Sequence, residues 1–498
     1  MHLSSFIFKN ALLNANKDTK DEFLKSLKKV LKGVIKDNNL NIKIDDLSYF
    51  DNKALYQFTI PTKSKKNRVV YTIILQTIRV VALLHDVGHL PFSHQVENSL
   101  KNVYENLKNK TMLNAKELEF KEIYENITNN ENLILHEAIG KQFLNLLFEY
   151  EIFDFINTKE EQEYIKLIKI VASYMLENRV YKGFDFKVLH RIIDSTVDAD
   201  RLDYINRDML ASGYITGAND HIRITKEAVL IKDKKEFYIS FFDMSLIDIE
   251  HMLEMRFNLY KKVIYNHGIA KTDALLENVV QYLCDKYFDN KIIDDKPSNS
   301  ISMLWKFFYE KNDDKKLDLI SLLDENWLIS FFKTEYFNIK KKKTLSQEDI
   351  KYKYCFEEVL FGKRFFRSPW KNLNEFYNVL EFSTVQRYQF RESFGYISGN
   401  KYKNLKDSLE EFVKKFESED KNIFFTYQIV SFSLGVEKDF KLFDGQNIIF
   451  IDEISTLRKR LKQSMRNTVP FYIYSNNKEL SQEMKDKLRD IIFEVFKD

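Results

Sequence analysis

Cysteine, glycine and proline are all scarce in this chain. Its 498 residues include two Cys, 12 Gly and 5 Pro, against usual frequencies of about 7% for Gly and about 5% for Pro. Cys284 and Cys355 lie far apart and in no paired motif, so there is neither a disulfide framework nor a thiolate metal site, which fits a reducing, cytoplasmic setting. With so few residues that break the backbone pattern, long helices are expected, and collagen-like, linker-rich and disordered classes are excluded.

Charge of one sign is also missing. Lys plus Arg is 77 and Asp plus Glu is 74, a formal net charge of +3, so the bulk basicity of a dedicated nucleic-acid binder is absent and nucleic acid is not indicated as a partner. No apolar run is long enough to suggest a membrane span. The best candidate, Val69 to Leu84, is interrupted by Gln76 and Arg79 and falls short of the roughly 20 apolar residues a span needs, so it reads as a buried helix. The opening MHLSSFIFKNALLNANKD has no basic segment ahead of its apolar stretch and does not read as a secretory signal. Hydrophobic residues make up 44% of the chain, with 27 Tyr and 42 Phe recurring among aliphatics at helical spacing, ample for a sizeable core.

Residues 1 to 37 read as helix, Ile42 to Pro61 as strands, and helical signals run from Val69 through Ile205 with breaks at Pro91 and around Tyr181 to Phe186. Helix resumes from Met244 to Phe288. The Pro-, Ser- and Asn-containing Lys291 to Ser300 is the expected linker, followed by a mostly helical region to Ser418. Strands are expected at Ile423 to Ser433, Phe440 to Phe443, Ile448 to Ile451 and Phe471 to Tyr474, with a helix at Leu457 to Met465.

The chemistry concentrates in two segments. In HDVGHLPFSHQVE (His85 to Glu97), three of the nine histidines fall within ten residues. Adjacent His85 and Asp86 can offer an imidazole nitrogen and a carboxylate oxygen to one cation, and on a continuing helix His89, one turn later, shares the face of His85. Pro91 then turns the chain so that His94 and Glu97 can fold back. The bland alternative is a His-Asp pair capping a helix beside surface histidines. The second segment is DSTVDADRLDYINRD, Asp194 to Asp208. As a helix it sets Asp200, Tyr204, Arg207 and Asp208 within an arc of about 100°, a face unsuited to a dry core; an exposed helix laced with ion pairs is the alternative. His190, His221 and His251 carry no motif.

HDVGHLPFSH followed by DADRLDY and RD resembles the HD-domain phosphohydrolases, and more narrowly their deoxynucleoside triphosphate triphosphohydrolase branch. Leu135-His136-Glu137-Ala138-Ile139-Gly140 resembles that branch's HE segment, and Met255 to Tyr265 (MRFNLYKKVIY) its substrate-pocket helix, so the likeness spans residues 80 to 270. It implies a mainly α fold, a helical HD-domain core with a small C-terminal α+β lobe. The expected division is an HD domain over 1–290 with an insertion near 14–66, a helical extension over 291–420 and the lobe over 421–498. His85, Asp86 and Asp200 would be ligands of a divalent ion, with manganese, iron, magnesium and zinc all suiting such donors. His94 would be the catalytic histidine near the α-phosphate, with His89 beside it, Glu97 its acidic partner and His136 on the phosphate. Arg201 would meet the triphosphate, Tyr204 and Asp208 the sugar, and Arg256 and Tyr265 would stand on the pocket helix.

The implied reaction is metal-dependent hydrolysis of a deoxynucleoside triphosphate to deoxynucleoside and triphosphate, in a homo-oligomer that can carry nucleotide effectors. Two departures from the family pattern stand out. The family's further metal-binding histidine, upstream of the HD pair, would fall shortly before Met1, so the chain is expected to begin inside the catalytic domain through a truncated or misassigned start; the alternative is a natural variant with an incomplete metal shell. Ile264 also stands where the family usually has a tyrosine under the sugar, with Tyr265 next to it. The alternative functions are another HD phosphoesterase, such as a nucleotide phosphatase or nuclease, and a degenerate HD protein that binds nucleotide or nucleic acid without turnover.

Overall fold

A computed structural model describes residues 1–44, 64–150, 158–214, 220–291, 299–310, 313–390, 393–477 and 479–496. The strands expected over most of Ile42 to Pro61, and nearly all of the Lys291 to Ser300 linker, lie outside the described residues. The rest is mainly α. In chain order it runs α1 (His2–Asn14), α2 (Lys17–Asp37), α3 (Lys65–Leu84), α4 (His94–Lys108), α5 (Ala115–Ile127), α6 (Leu135–Tyr150) and α7 (Lys159–Leu176). A short hairpin, β1 (Val180–Tyr181) and β2 (Phe184–Asp185), leads to α8 (Lys187–His190), α9 (Ala199–Ala211), α10 (His221–Lys226), β3 (Ala228–Asp233) and β4 (Glu236–Phe242). Then come α11 (Leu246–Leu259), α12 (His267–Phe288), α13 (Met303–Lys306), α14 (Asp313–Leu322), α15 (Glu325–Lys341) and α16 (Gln347–Phe361). The chain closes with α17 (Leu373–Val379), α18 (Thr384–Phe390), α19 (Gly399–Glu419), β5 (Phe425–Ile429), β6 (Lys441–Phe443), β7 (Ile448–Phe450), α20 (Ile451–Ile454), α21 (Leu457–Met465), β8 (Phe471–Ser475) and α22 (Gln482–Phe496).

These elements group into two compact units. The first comprises residues 1–88, 136–259 and 435–458, the second residues 89–135, 260–434 and 459–498.

In the first unit α3 is a core helix. Val70, Ile73, Ile74, Thr77, Ile78 and Val81 recur at three- and four-residue spacing and are fully buried, packed in a region shared with α1, α2 and α7. Among the described residues it is the one helix long and apolar enough to cross a membrane, but more than half of it is buried inside the protein. Of the insertion expected near 14–66, α2 is described. Asn16 caps it by accepting the Thr19 amide at 2.8 Å, and its apolar stripe of Phe23, Leu27, Val30 and Val34 is buried. The unit's sheet has strand order β3-β4-β6-β7. β3 and β4 form an antiparallel hairpin whose turn residue Lys234 takes positive φ, and β4 pairs parallel with β6, Phe241 opposite Leu442.

In the second unit β5 and β8 pair antiparallel, Tyr427 opposite Ile473. Trp370 is fully buried beside them, and its indole Nε1 donates to the Phe471 carbonyl at 3.0 Å. A second aromatic knot joins Phe120 of α5, Phe288 of α12 and Trp305 of α13. All four strands expected beyond residue 421 are present, but the C-terminal α+β lobe does not rest on one sheet. β6 and β7 extend the β3-β4 hairpin, while β5 and β8 pair with each other.

Candidate metal centre and the histidine pair

α3 ends at Leu84, and residues 85 to 88 form a turn. The expectation that His89 continues the face of His85 is therefore corrected. Past the helix end the chain closes on α6 at Gly88: a Cβ there would lie 2.0 Å from the His136 carbonyl oxygen and 2.3 Å from the Gly140 nitrogen, an approach that the turn at 85–88 permits. Pro91 further disfavours helix at Leu90. What remains of the helix fixes His85, whose amide still bonds the Val81 carbonyl at 2.8 Å.

In the first unit, His85, Asp86 and Asp200 each offer a ligand atom, and the three atoms lie within 4.8 Å of one another. His85 Nε2 is 3.1 Å from Asp86 Oδ2 and 3.9 Å from Asp200 Oδ1. Its Nδ1 faces the Ala82 carbonyl at 3.3 Å; an N–H donated there would turn the Nε2 lone pair to an ion when one is bound, whereas in the protonated ring Nε2 donates to Asp86. Burial works against a charged His85, but the hydrogen bond and charge of Asp86, together with Asp200, win and raise its pKa. Asp200 is also raised, first by burial and then by Asp86 and Asp203, with His85 opposing. One imidazole and two half-exposed carboxylates, with nitrogen and oxygen donors alone, fit a hard or borderline dication.

Asp200 owes its position to the cap of α9. Asp198 is buried, and its carboxylate accepts the Arg201 amide at 2.7 Å and the Ser195 amide at 2.8 Å. Burial raises its pKa, opposed by Arg201 and these amides. α9 then carries two stripes. Leu202, Ile205 and Met209 are buried, while Arg201, Tyr204 and Asp208 are half-buried on another face. Arg207 is exposed and pairs with Asp203 at 3.1 Å and Asp208 at 3.0 Å, so the ion-pair reading of this helix holds for that edge. Tyr204 is linked to α11: the buried Arg256 donates through Nε to its hydroxyl at 3.1 Å. His136, also of the first unit, stands at the start of α6.

The second unit holds His89, His94 and Glu97. Glu97 is 7% exposed on its side chain, while His94, first residue of α4, is 66% exposed. His89 Nδ1 meets Glu97 Oε1 at 2.7 Å, His94 Nδ1 lies 3.5 Å from Oε2, and the two rings meet edge to face at 4.7 Å. The tighter partner of Glu97 is thus His89. The turn that delivers His94 is strained: Phe92 has φ of 61°, and Ser93 has φ of 49° with ψ of −127°. Tyr265 also belongs to this unit, and its hydroxyl donates to the Ser431 carbonyl at 2.6 Å. Residues Tyr260–Ile264 form a π-helical turn, closed by the Tyr265 amide on the Tyr260 carbonyl at 2.8 Å. The extra residue of such a turn gives Tyr265 the angular position that an unbroken α-helix would give Ile264.

Around Arg201 in the first unit, three residues to which the motifs assign no role of their own hold the site together. Thr196 Oγ1 accepts the Glu437 amide at 2.9 Å, and Gly435 presents its carbonyl to Arg201 Nη1 at 2.5 Å. Asp198 had a legible signal, a carboxylate three residues before Arg201 at a helix start. A lone glycine more than 230 residues away in sequence had none.

No family model matches the chain. It is 27% identical over 268 residues to an uncharacterized protein of Mycoplasma pneumoniae, covering 54% of this chain and 56% of that protein. It is 23% identical over 233 residues to a protein of Acanthamoeba polyphaga mimivirus named for an HD domain, covering 47% and 42% respectively. The chain spans about half the length of the curated relatives it matches. A solved phosphohydrolase from Bacteroides thetaiotaomicron aligns over 81% of this chain and 80% of its own, at 14% identity and a TM-score of 0.48.

Proposed function

We propose that the chain is an HD-type, metal-dependent phosphohydrolase. Within that class, its reaction is hydrolysis of deoxynucleoside triphosphates to deoxynucleoside and triphosphate. The observation that carries the reading is the grouping of His85 and Asp86, from one segment, with Asp200, from a helix more than a hundred residues later, at ligand distances. Similarity to a mimivirus protein named for an HD domain supports the broader class.

His85, Asp86 and Asp200 would hold the dication. When bound, such an ion polarises a phosphoryl oxygen and lowers the pKa of a coordinated water. The remaining residues orient the substrate and move protons. Arg201 and Arg256 bring two permanent positive charges to a polyphosphate. Tyr204 and Asp208 supply a phenol and a carboxylate for the hydroxyls of a sugar. In hydrolysis at the α-phosphorus, water oxygen bonds to phosphorus, the P–O5′ bond breaks, and the departing O5′ takes a proton. His94 is the group suited to that transfer near neutral pH, with Glu97 orienting it. His89 and Tyr265 keep the roles the family resemblance implies, beside His94 and the sugar.

The reading extends to a homo-oligomer with nucleotide effectors. A 650 Å³ cavity in the second unit supports the effector part, because Lys363, Arg364, Arg367 and Lys371 line it with positive charge next to His267. The test is to load the protein with manganese or iron, incubate it with each dNTP and resolve the products. Triphosphate plus deoxynucleoside supports the proposal. Monophosphate or orthophosphate makes it another HD phosphoesterase, and tight binding without product makes it a binding module.

A further inference from the structure

We propose that Gly435 is a positioning residue, a backbone saddle that aligns the guanidinium groups of Arg201 and Arg256; the proposal rests on the functional reading above and adds a residue to it. Three observations meet at this one position. Its φ is +63°, so the backbone is in the left-handed region that glycine adopts without cost. A Cβ there would lie 2.6 Å from Cζ and Nη1 of Arg256 and 2.8 Å from Nη2. Its carbonyl accepts Arg201 Nη1 at 2.5 Å.

The peptide at 435 therefore rides directly over one guanidinium while its oxygen pulls in the other. Neither arginine is loose. Arg256 is buried and its Nε is committed to the Tyr204 hydroxyl at 3.1 Å. Arg201 Nε is 3.4 Å from Asp198 Oδ2. The loop that carries Gly435 is itself pinned, because the Glu437 amide donates to Thr196 Oγ1 at 2.9 Å and the Glu437 carboxylate stands 3.6 Å from Arg191. Thr196 and Asp198 precede α9, and Arg201 and Tyr204 lie on it, so the saddle joins the loop before α9 and its first turns to the end of α11. Any side chain at 435 meets the far end of Arg256 and not backbone, so the guanidinium is what gives way.

The test is a double-mutant cycle between Gly435→Ala and Arg256→Ala, read by thermal melting and by KM and kcat for dNTPs with manganese. Gly435→Asn is included because asparagine tolerates left-handed backbone but still carries a Cβ, which separates backbone strain from collision. Both position-435 variants are expected to raise KM about tenfold with kcat within about threefold, since polyphosphate binding is shared by ground and transition states. In the Arg256→Ala background the same change is expected to alter KM less than about twofold, and the melting loss shrinks in parallel. A KM effect of equal size with and without Arg256, or a melting loss with unchanged KM, overturns the saddle. If the unsubstituted protein turns over no dNTP, the functional reading fails by itself, and the saddle is judged on the melting cycle alone: equal losses in both backgrounds overturn it.

Discussion

The two clusters that grow out of one short stretch of sequence are mirror images in composition. In the first unit a single imidazole, His85, faces two carboxylates; in the second a single carboxylate, Glu97, faces two imidazoles, His89 and His94. The chain between them is only Val87 and Gly88. Composition sets what each cluster can do. Two carboxylates against one imidazole leave negative charge in excess whether or not the ring is protonated, which a dication would relieve. Two imidazoles sharing one carboxylate have no such excess; these donors can also approach an ion, and the proposed reaction uses them to take up and release protons. The difference teaches that a run of histidines in sequence need not serve one role, and that the carboxylate count is what separates the roles proposed for its parts.

The sharpest way to break this comparison is to remove a carboxylate from the first cluster. Asp86→Ala or Asp200→Ala is expected to abolish turnover and to weaken manganese binding, measured by calorimetry, by more than the roughly 100-fold that loss of an outer-shell partner costs. Glu97→Ala should leave manganese affinity within about threefold while lowering kcat, because the proposed site has its carboxylate serve the imidazoles and not the ion. If Glu97→Ala strips the metal as thoroughly as Asp200→Ala does, the division of labour is wrong. His94→Ala is expected to cost about 10² to 10⁴ in kcat with manganese binding intact.

The turn that separates the clusters offers a stability contrast. At Gly88 an added Cβ would meet backbone at 2.0 and 2.3 Å, which no side-chain rotation can relieve, whereas at Gly140 the nearest atom is an ordinary 3.6 Å away. Gly88→Ala should therefore cost about 3 kcal/mol or more, and Gly140→Ala, inside α6, should be neutral or gain up to about 1 kcal/mol from helix propensity. Denaturant melts of the two variants check this. Ser93→Gly acts on the other cluster. It relieves a backbone conformation costing on the order of 1 kcal/mol, raising the melting temperature, and it lowers kcat by loosening the turn that aims His94. A variant both more stable and fully active would show that the strain has no function.

How much of this was legible follows from the range of the forces involved. α9 could be read because a cap residue and two stripes repeat within thirteen residues, and the β5 to β8 segments because short apolar runs sit between turn residues. Which strands pair could not be read. Phe241 finds Leu442 across two hundred residues, and nothing local encodes a parallel partner at that distance. The β3-β4 hairpin was legible in principle, since AVLIKD and EFYISFF are strand-like on both sides of two lysines, yet its sheet role depends on β6. The end of α3 at Leu84 comes just before the close approach of Gly88 to α6, a tertiary contact that periodicity does not register, so the period carried the helix one turn too far.

A carboxyl with no imidazole beside it completes the comparison. Glu277 of α12 is partly buried, and desolvation, with Asp273 adding to it and Lys406 opposing, pushes its pKa from 4.5 to about 8. The folded state therefore holds a proton that the unfolded chain releases near its ordinary value. Between those two pH values the native state binds more protons than the unfolded one, so stability is fully present at low pH and falls as pH rises toward 8. Glu277→Gln keeps the shape and removes the ionisation. The expected outcome is a flatter melting temperature between pH 5 and 8, with the variant exceeding the unsubstituted protein by ~4 °C at the upper end. A slope unchanged by the substitution would mean that Glu277 reaches solvent or a cation when it ionises. In that case desolvation does not hold this carboxyl neutral, and charged neighbours, Lys406 among them, govern it as they govern the two histidine clusters.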